Sequence, residues 1–279
     1  MRILALTLFF ANCLYAQNYI GNAVLGNASI GGGSLSTNTP TPPDTSLTNL
    51  VPSGMGIWLR AATLTNANGT PVSFWSDEST NSSHATQGTA ANRPTLDNGW
   101  VRFYSVSNSW MSAPHNAGLT NNGSGHTMWV VFKTNTIPAT EGGTIEVMVA
   151  KGTNWLAESM HYSAALWNNQ VAWVGSDVFN IGYAAYDPRS LSGTNLWLVE
   201  METGATWTYK TYNSDGTTNT LSPTSSYGFG QNSDPLFIGT LTAWPYTSAG
   251  YNGWIREVIV WPRKLSVTER SNLFYYATH

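Results

Sequence analysis

From residue 54 onward, apolar positions either alternate with polar ones or gather in short blocks, and no long stretch carries a helical period. Thr127 to Lys133 is a buried-type run, apolar from Met128 to Phe132. Ile145 to Lys151 alternates, which predicts Ile145, Val147 and Val149 facing inward. Ser163 to Trp167 and Val171 to Val174 flank Asn168-Asn169, a hairpin turn. In Leu196 to Glu202, Trp197, Val199 and Met201 share one face while Glu200 and Glu202 share the other. Gly56–Ala61, Val72–Ser79, Trp100–Phe103, Trp207–Tyr212 and Leu236–Gly239 read as further strands. Strands at this spacing predict a sandwich.

The end of the chain has its own signature. Trp254 to Trp261 is a nearly unbroken apolar and β-branched run, closed by Pro262, which cannot donate to a sheet ladder. Ser266-Val-Thr-Glu269 then spells a capping box, so a short helix follows with Leu273, Tyr276 and Ala277 on one side.

The beginning is different. Arg2, the apolar stretch Ile3–Ala11 and Leu14-Tyr-Ala16 read as a secretory signal peptide over 1–16, too short in its apolar part to span a bilayer. Ile20, Leu25, Ile30 and Leu35 recur at a spacing that fits neither helix nor strand, each followed by glycine or, at Leu35, serine. Residues 17–50 therefore form a Gly-rich arm and a Thr/Pro-rich linker, either flexible or able to add itself to a neighbour's sheet. Residues 51–279 form the folded domain.

Composition narrows the functional classes. Charged residues make up 10% of the chain and aromatics 13%, with a net charge of −3 spread over isolated positions, so nothing resembles a nucleic-acid footprint. The one cysteine, Cys13, lies inside the leader, so the mature chain is expected to hold no disulfide, thiol nucleophile or cysteine metal site. The five histidines lack zinc-helix spacing, and no nucleophile elbow or phosphate loop follows a strand.

Three blocks carry a family resemblance. "WLRA" at Trp58, "FWSDESTNSSHATQGTAANRPT" from Phe74 and "VRF" at Val101 are similar to the opening of bacterial LamG-like domains. Those typically run W-L-(R/K)-A-D, W-x-D-x-S-G-x-G-x-x-A-x-Q, a proline and V-x-F; the glycines after Ser79 are missing here. The closing strand, proline stop and capped helix resemble the end of the same concanavalin A-like superfamily. The resemblance implies an all-β, two-sheet antiparallel jelly-roll sandwich with a short C-terminal helix and an extended N-terminal arm. It also implies a possible rim calcium, for which Asp77, Glu78 and Asp97 supply hard oxygens, although Asp77 and Ser79 equally suit turn hydrogen bonding. Glu257, inside the closing strand, is expected to be a buried hydrogen-bond partner of Arg60 or Arg102.

The same sandwich carries laminarinase-like hydrolases, whose Glu-x-Asp-x-Glu triplet is only partly matched by Glu200-Met-Glu202, so no complete catalytic motif is present. Sugar binding needs exposed aromatic faces beside polar groups. Trp58, Trp75, Trp129, Trp197, Trp254 and Trp261 lie in strand runs and are expected in the core. Trp110, Trp155, Trp167, Trp244 and Tyr246 lie in or beside loops and are the ligand-binding candidates. The leading expectation is a secreted, non-catalytic domain binding glycan at a cell or virion surface. The alternative is a structural subunit of a fibre or phage appendage that meets copies of itself through its arm. A glycoside hydrolase comes third.

Overall fold

The computed structural model describes residues 54–105, 107–120, 126–134, 145–152, 162–167, 170–177, 180–182, 197–202, 208–213, 218–221, 233–240 and 250–278. From 162 to 221 the description is one of backbone pairing, Ala164 apart. The stretches expected to be leader, arm and linker lie outside the described residues.

The first strands are short: β1 Ile57–Arg60, β2 Phe74–Trp75, β3 Ala85–Thr86, β4 Thr95–Asp97, β5 Trp100–Phe103 and β6 Met111–Ala113. Longer ones follow in β7 Thr127–Thr134, β8 Ile145–Lys151, β9 Tyr162–Trp167 and β10 Gln170–Asp177. Then come β11 Asn180–Gly182, β12 Trp197–Glu202, β13 Thr208–Asn213 and β14 Thr218–Leu221. β15 Leu236–Ile238, β16 Gly253–Trp261 and one helix, α1 Val267–Thr278, complete the domain. The strands form two eight-stranded antiparallel sheets. One runs β14-β13-β12-β7-β16-β5-β4, with β1 also on β16; the other runs β11-β10-β9-β8-β15-β6-β3-β2. This is the two-layer β-sandwich expected from the pattern, closed by a single short helix.

β16 pairs with β7, β5 and β1 of the first sheet, and its residues serve two interiors. Ile255, Val258 and Val260 enter the main core with Ile57, Val101, Phe103, Val130 and Phe132. Ile259 and Trp261 face away, into a second cluster with Trp58, Trp129, Val131, Leu265 and Leu273. That second cluster is what α1 covers, and Leu273, predicted on the inward side of the helix, is fully buried there. The change of face comes from a register shift between Ile255, opposite Phe132, and Glu257, opposite Val131. Arg256 is the extra residue, a β-bulge that re-aims its neighbours.

A second bulge corrects an expectation. The register of β8 against β9 shifts between Val147 and Val149, so the plain alternation of Ile145, Val147 and Val149 does not hold. Met148 and Val149 both belong to the main core, and the buried Val147 does not.

The capping box forms as predicted. The Ser266 N–H donates to Glu269 Oε2 at 2.7 Å and the Glu269 N–H donates to Ser266 Oγ at 3.2 Å. Arg263 adds a two-pronged grip on the same carboxylate, at 2.8 and 3.1 Å, and its hydrogen bonds hold the Glu269 carboxyl down at about 2. Among the described residues no helix is long and apolar enough to cross a membrane.

Candidate functional site

The outer face of the first sheet is closed by α1 at one end and open at the other. At the open end, β5, β16 and β7 place Arg102, Trp254 and Lys133 side by side in register. Trp100 projects from the start of β5, and Asp97 sits opposite it at the end of β4. The connection is Asn98-Gly99, with φ of 50° and 78°. Two successive positive φ values make the tight hairpin that matches sheet twist, and Asn-Gly is the pair that adopts it most readily. Asn68 braces the hairpin: its amide donates to Asn98 Oδ1 and its oxygen accepts the Asn98 N–H, both at 2.9 Å.

These residues enclose a cleft of about 220 Å³ lined by Asp97, Asn98, Trp100, Lys133 and Trp254. Each wall is fixed. The Trp254 indole N–H donates to Asp97 Oδ2 at 2.7 Å, and the Arg102 guanidinium stacks 3.9 Å from the Trp254 ring centroid. Tyr104 lies on Arg102 as well, at 4.7 Å. On the other side the Lys133 ammonium sits 4.0 Å from the Trp100 centroid, and Arg256, turned outward by the bulge, lies 5.5 Å from it. Cation–π contacts of this kind hold both indoles at fixed tilt.

Arg102 is the anchor behind the cleft. Its Nη2 donates to Asn252 Oδ1 at 2.9 Å, while the Asn252 N–H donates to Glu146 Oε2 at 3.0 Å. Burial pushes the Glu146 carboxyl up to about 7 and pulls Arg102 and Lys133 down from their ordinary values. The arrangement offers two indole surfaces, a carboxylate, a side-chain amide and an ammonium. Asp97 is the one carboxylate in the described lining, so that lining does not set two acids across a glycosidic bond.

Trp110, a candidate from sequence, lies elsewhere. It is half-buried against Phe237 of the second sheet, with ring centroids 5.9 Å apart. Trp155, Trp244 and Tyr246 lie outside the described residues, and Trp167 is placed only by its pairing, opposite Gln170 and Ile145. Trp254, expected in the core, instead lines the open cleft. Trp58, Trp75, Trp129 and Trp261 are buried as expected. Trp100 and Trp254 were concealed because both sit inside strand-like runs. The legible signal was the Asn98-Gly99 pair, which marks a hairpin with an aromatic at its exit.

Asp77, Glu78 and Asp97 do not converge, and among the described residues no group of three acids, histidines or cysteines could hold a metal ion. Asp77 Oδ1 accepts the N–H groups of Trp58 and Ser79, and its Oδ2 accepts the Ser79 hydroxyl and the Ser83 N–H, each at 2.8 Å. Glu78 pairs with Arg60 at 2.7 Å, and Asp97 belongs to the cleft. Glu257 is buried as expected, with different donors: the Trp58 indole N–H at 2.7 Å and the Tyr276 hydroxyl at 3.2 Å, in place of Arg60 or Arg102. Burial pushes its carboxyl up to about 7. Glu200 and Glu202 are placed by pairing only, opposite Trp129 and Thr127.

No protein-family model matches the chain, and no curated protein matches it in sequence. Solved structures do match. A Trypanosoma rangeli sialidase in complex with sialic acid gives a TM-score of 0.53 at 16% identity, over 80% of this chain and 33% of that one. The receptor binding domain of botulinum neurotoxin C/D mosaic serotype gives 0.55 at 12% identity, over 80% and 51%. A further structure described only as a receptor binding domain gives 0.57 at 12%, over 84% and 53%. The chain shares their β-sandwich fold. It spans a third of the sialidase chain and about half of the two receptor binding domains. At these identities the likeness is one of fold, and the finer likeness to LamG-like domains rests on the sequence motifs.

Proposed function

We propose that this domain binds carbohydrate without catalysis, as a secreted protein acting at a cell or virion surface. The observation that carries the reading is the cleft between Trp100 and Trp254, with Asp97, Asn98 and Lys133 as its polar groups. Apolar sugar faces stack on indoles while hydroxyls need a few fixed donors and acceptors, and this cleft supplies both. Its volume is below the roughly 300–1,000 Å³ of drug-sized sites, a scale suited to a single sugar ring. The likeness in fold to the receptor binding domain of a botulinum neurotoxin and the leader-like residues 1–16 support the same direction.

A glycan array with the purified domain tests this reading. Trp254→Ala should weaken the strongest hit at least tenfold, because both the stacking surface and the hold on Asp97 are lost. A binding constant unchanged in Trp254→Ala would move the site elsewhere, and an array with no hit would count against sugar binding altogether.

The repeated arm between Ile20 and Leu35 supports a second reading, a subunit that joins copies of itself. Sizing the protein with and without residues 17–50 separates the two: loss of an oligomer on deletion favours assembly.

A further inference from the structure

The cleft is positively charged in a chain that is not. The protein has 12 lysines and arginines and a net charge of −3, and charged residues make up 10% of the chain. Three of those 12 cations gather around the two indoles of the cleft. Lys133 lines it and lies on Trp100, Arg256 is turned towards Trp100 by the bulge, and Arg102 stacks on Trp254. One described carboxylate, Asp97, lines the cleft, and it already accepts from the Trp254 indole and the Asn98 amide. The other nearby acid, Glu146, sits behind Arg102, where burial favours its neutral form.

Each element of this arrangement has a cause other than chance. The bulge at Arg256 is what keeps that residue on the outer face while Ile255 stays in the core. Arg102 is 7% exposed, and its Nη1 has no hydrogen-bond partner. A buried guanidinium is costly to hold without compensation. It persists here between two aromatic rings, where its field reaches the cleft through the Trp254 ring in a low-dielectric setting.

We infer that the cleft selects sugars bearing an anionic substituent, a carboxylate or a sulfate, with Lys133 making the direct contact and Arg256 and Arg102 supplying the field. The inference rests on the carbohydrate-binding reading and adds the class of sugar. With a neutral sugar the three cations around the cleft have Asp97 as the one carboxylate in its described lining; an acidic sugar supplies a second negative charge.

The test is an array that carries matched neutral, carboxylated and sulfated glycans, read at low salt and repeated at high salt. The expected result is that binding concentrates on the anionic glycans and falls as salt rises. Whichever anionic set binds tells carboxylate from sulfate. The strongest hit is then compared with its neutral counterpart on Lys133→Gln, which keeps the stem over Trp100, and on Lys133→Arg, which keeps the charge. Lys133→Gln should lose tenfold or more on the anionic glycan and several-fold less than that on the neutral one, and Lys133→Arg should restore most of the loss on the anionic glycan. Hits that are mainly neutral, or equal losses on both glycans, would overturn this inference and leave sugar binding standing. No hit of any kind would overturn both.

Discussion

Gly253 shows how closely the cleft depends on single residues. It is the first residue of β16, opposite both Phe103 and Thr134, and a Cβ there would collide with the Tyr251 hydroxyl and the Lys133 carbonyl. Those two groups are hydrogen-bonded to each other, and Tyr251 is fully buried. Gly253→Ala must therefore break the pair or move β7 at the residue whose side chain lines the cleft. We expect a loss of about 3 kcal/mol, from overpacking plus an unmet buried hydroxyl, measurable by urea unfolding. A loss below 0.5 kcal/mol would mean the strand yields freely. At this scale the sequence was readable where residue type alone decides the outcome. Four strand tryptophans are buried because a large apolar ring in a β run has nowhere better to go. It was not readable for Trp100 and Trp254, since their exposure depends on which side of the sheet α1 covers. It was half-readable for Glu257: burial followed from its apolar neighbours, but its donors come from Trp58 and Tyr276, which only the fold brings near.

The elements follow from local chemistry more faithfully than the side chains do. Proline stop, Ser-x-x-Glu cap and inward Leu273 all appear in the structure as they read in the chain. What could not be read was the grip of Arg263 on the capping glutamate, because an arginine before a helix looks the same whether it folds back or faces solvent. The two bulges were equally hidden. An apolar run such as Val258–Trp261 pairs well in either register, and only facing strands choose between them. The cap yields a direct prediction. Ser266→Ala should cost about 1 kcal/mol and lower the melting temperature by a few degrees. Because Arg263 and the Ser266 N–H still hold Glu269, the helix should persist by circular dichroism. Complete loss of helical signal would show that the hydroxyl alone nucleates α1.

For the whole domain, buried ionisable groups set an unusual dependence on pH. Glu257, between the first sheet and α1, and Glu146, behind the cleft, both have carboxyls raised to about 7 by burial. Between the ordinary carboxylate value near 4.5 and 7 the folded chain keeps protons that the unfolded chain releases, so stability falls as pH rises through that window. A shift of this size corresponds to about 3 kcal/mol for each group at most. Lys151 acts in the opposite sense at higher pH: burial lowers its ammonium to about 8, so stability returns between there and its ordinary value of 10.5. Above pH 10 the raised hydroxyls of Tyr251 and Tyr276 lower stability again. Below 4.5, Glu269 loses its hold on Arg263 as it protonates towards 2, a small effect because the pair is partly exposed. The domain should accordingly be most stable near pH 4.5–5, with a minimum at pH 7–8, as measured by urea unfolding across that range. Glu257→Gln keeps an oxygen for the Trp58 and Tyr276 donors and removes the charge. It should unfold at higher urea than the native chain at pH 8 and differ little from it at pH 4.5. Equal stability of the two chains at pH 8 would mean that the ionised Glu257 is already compensated, with Arg60 and Arg256 the cations nearest to supply that charge.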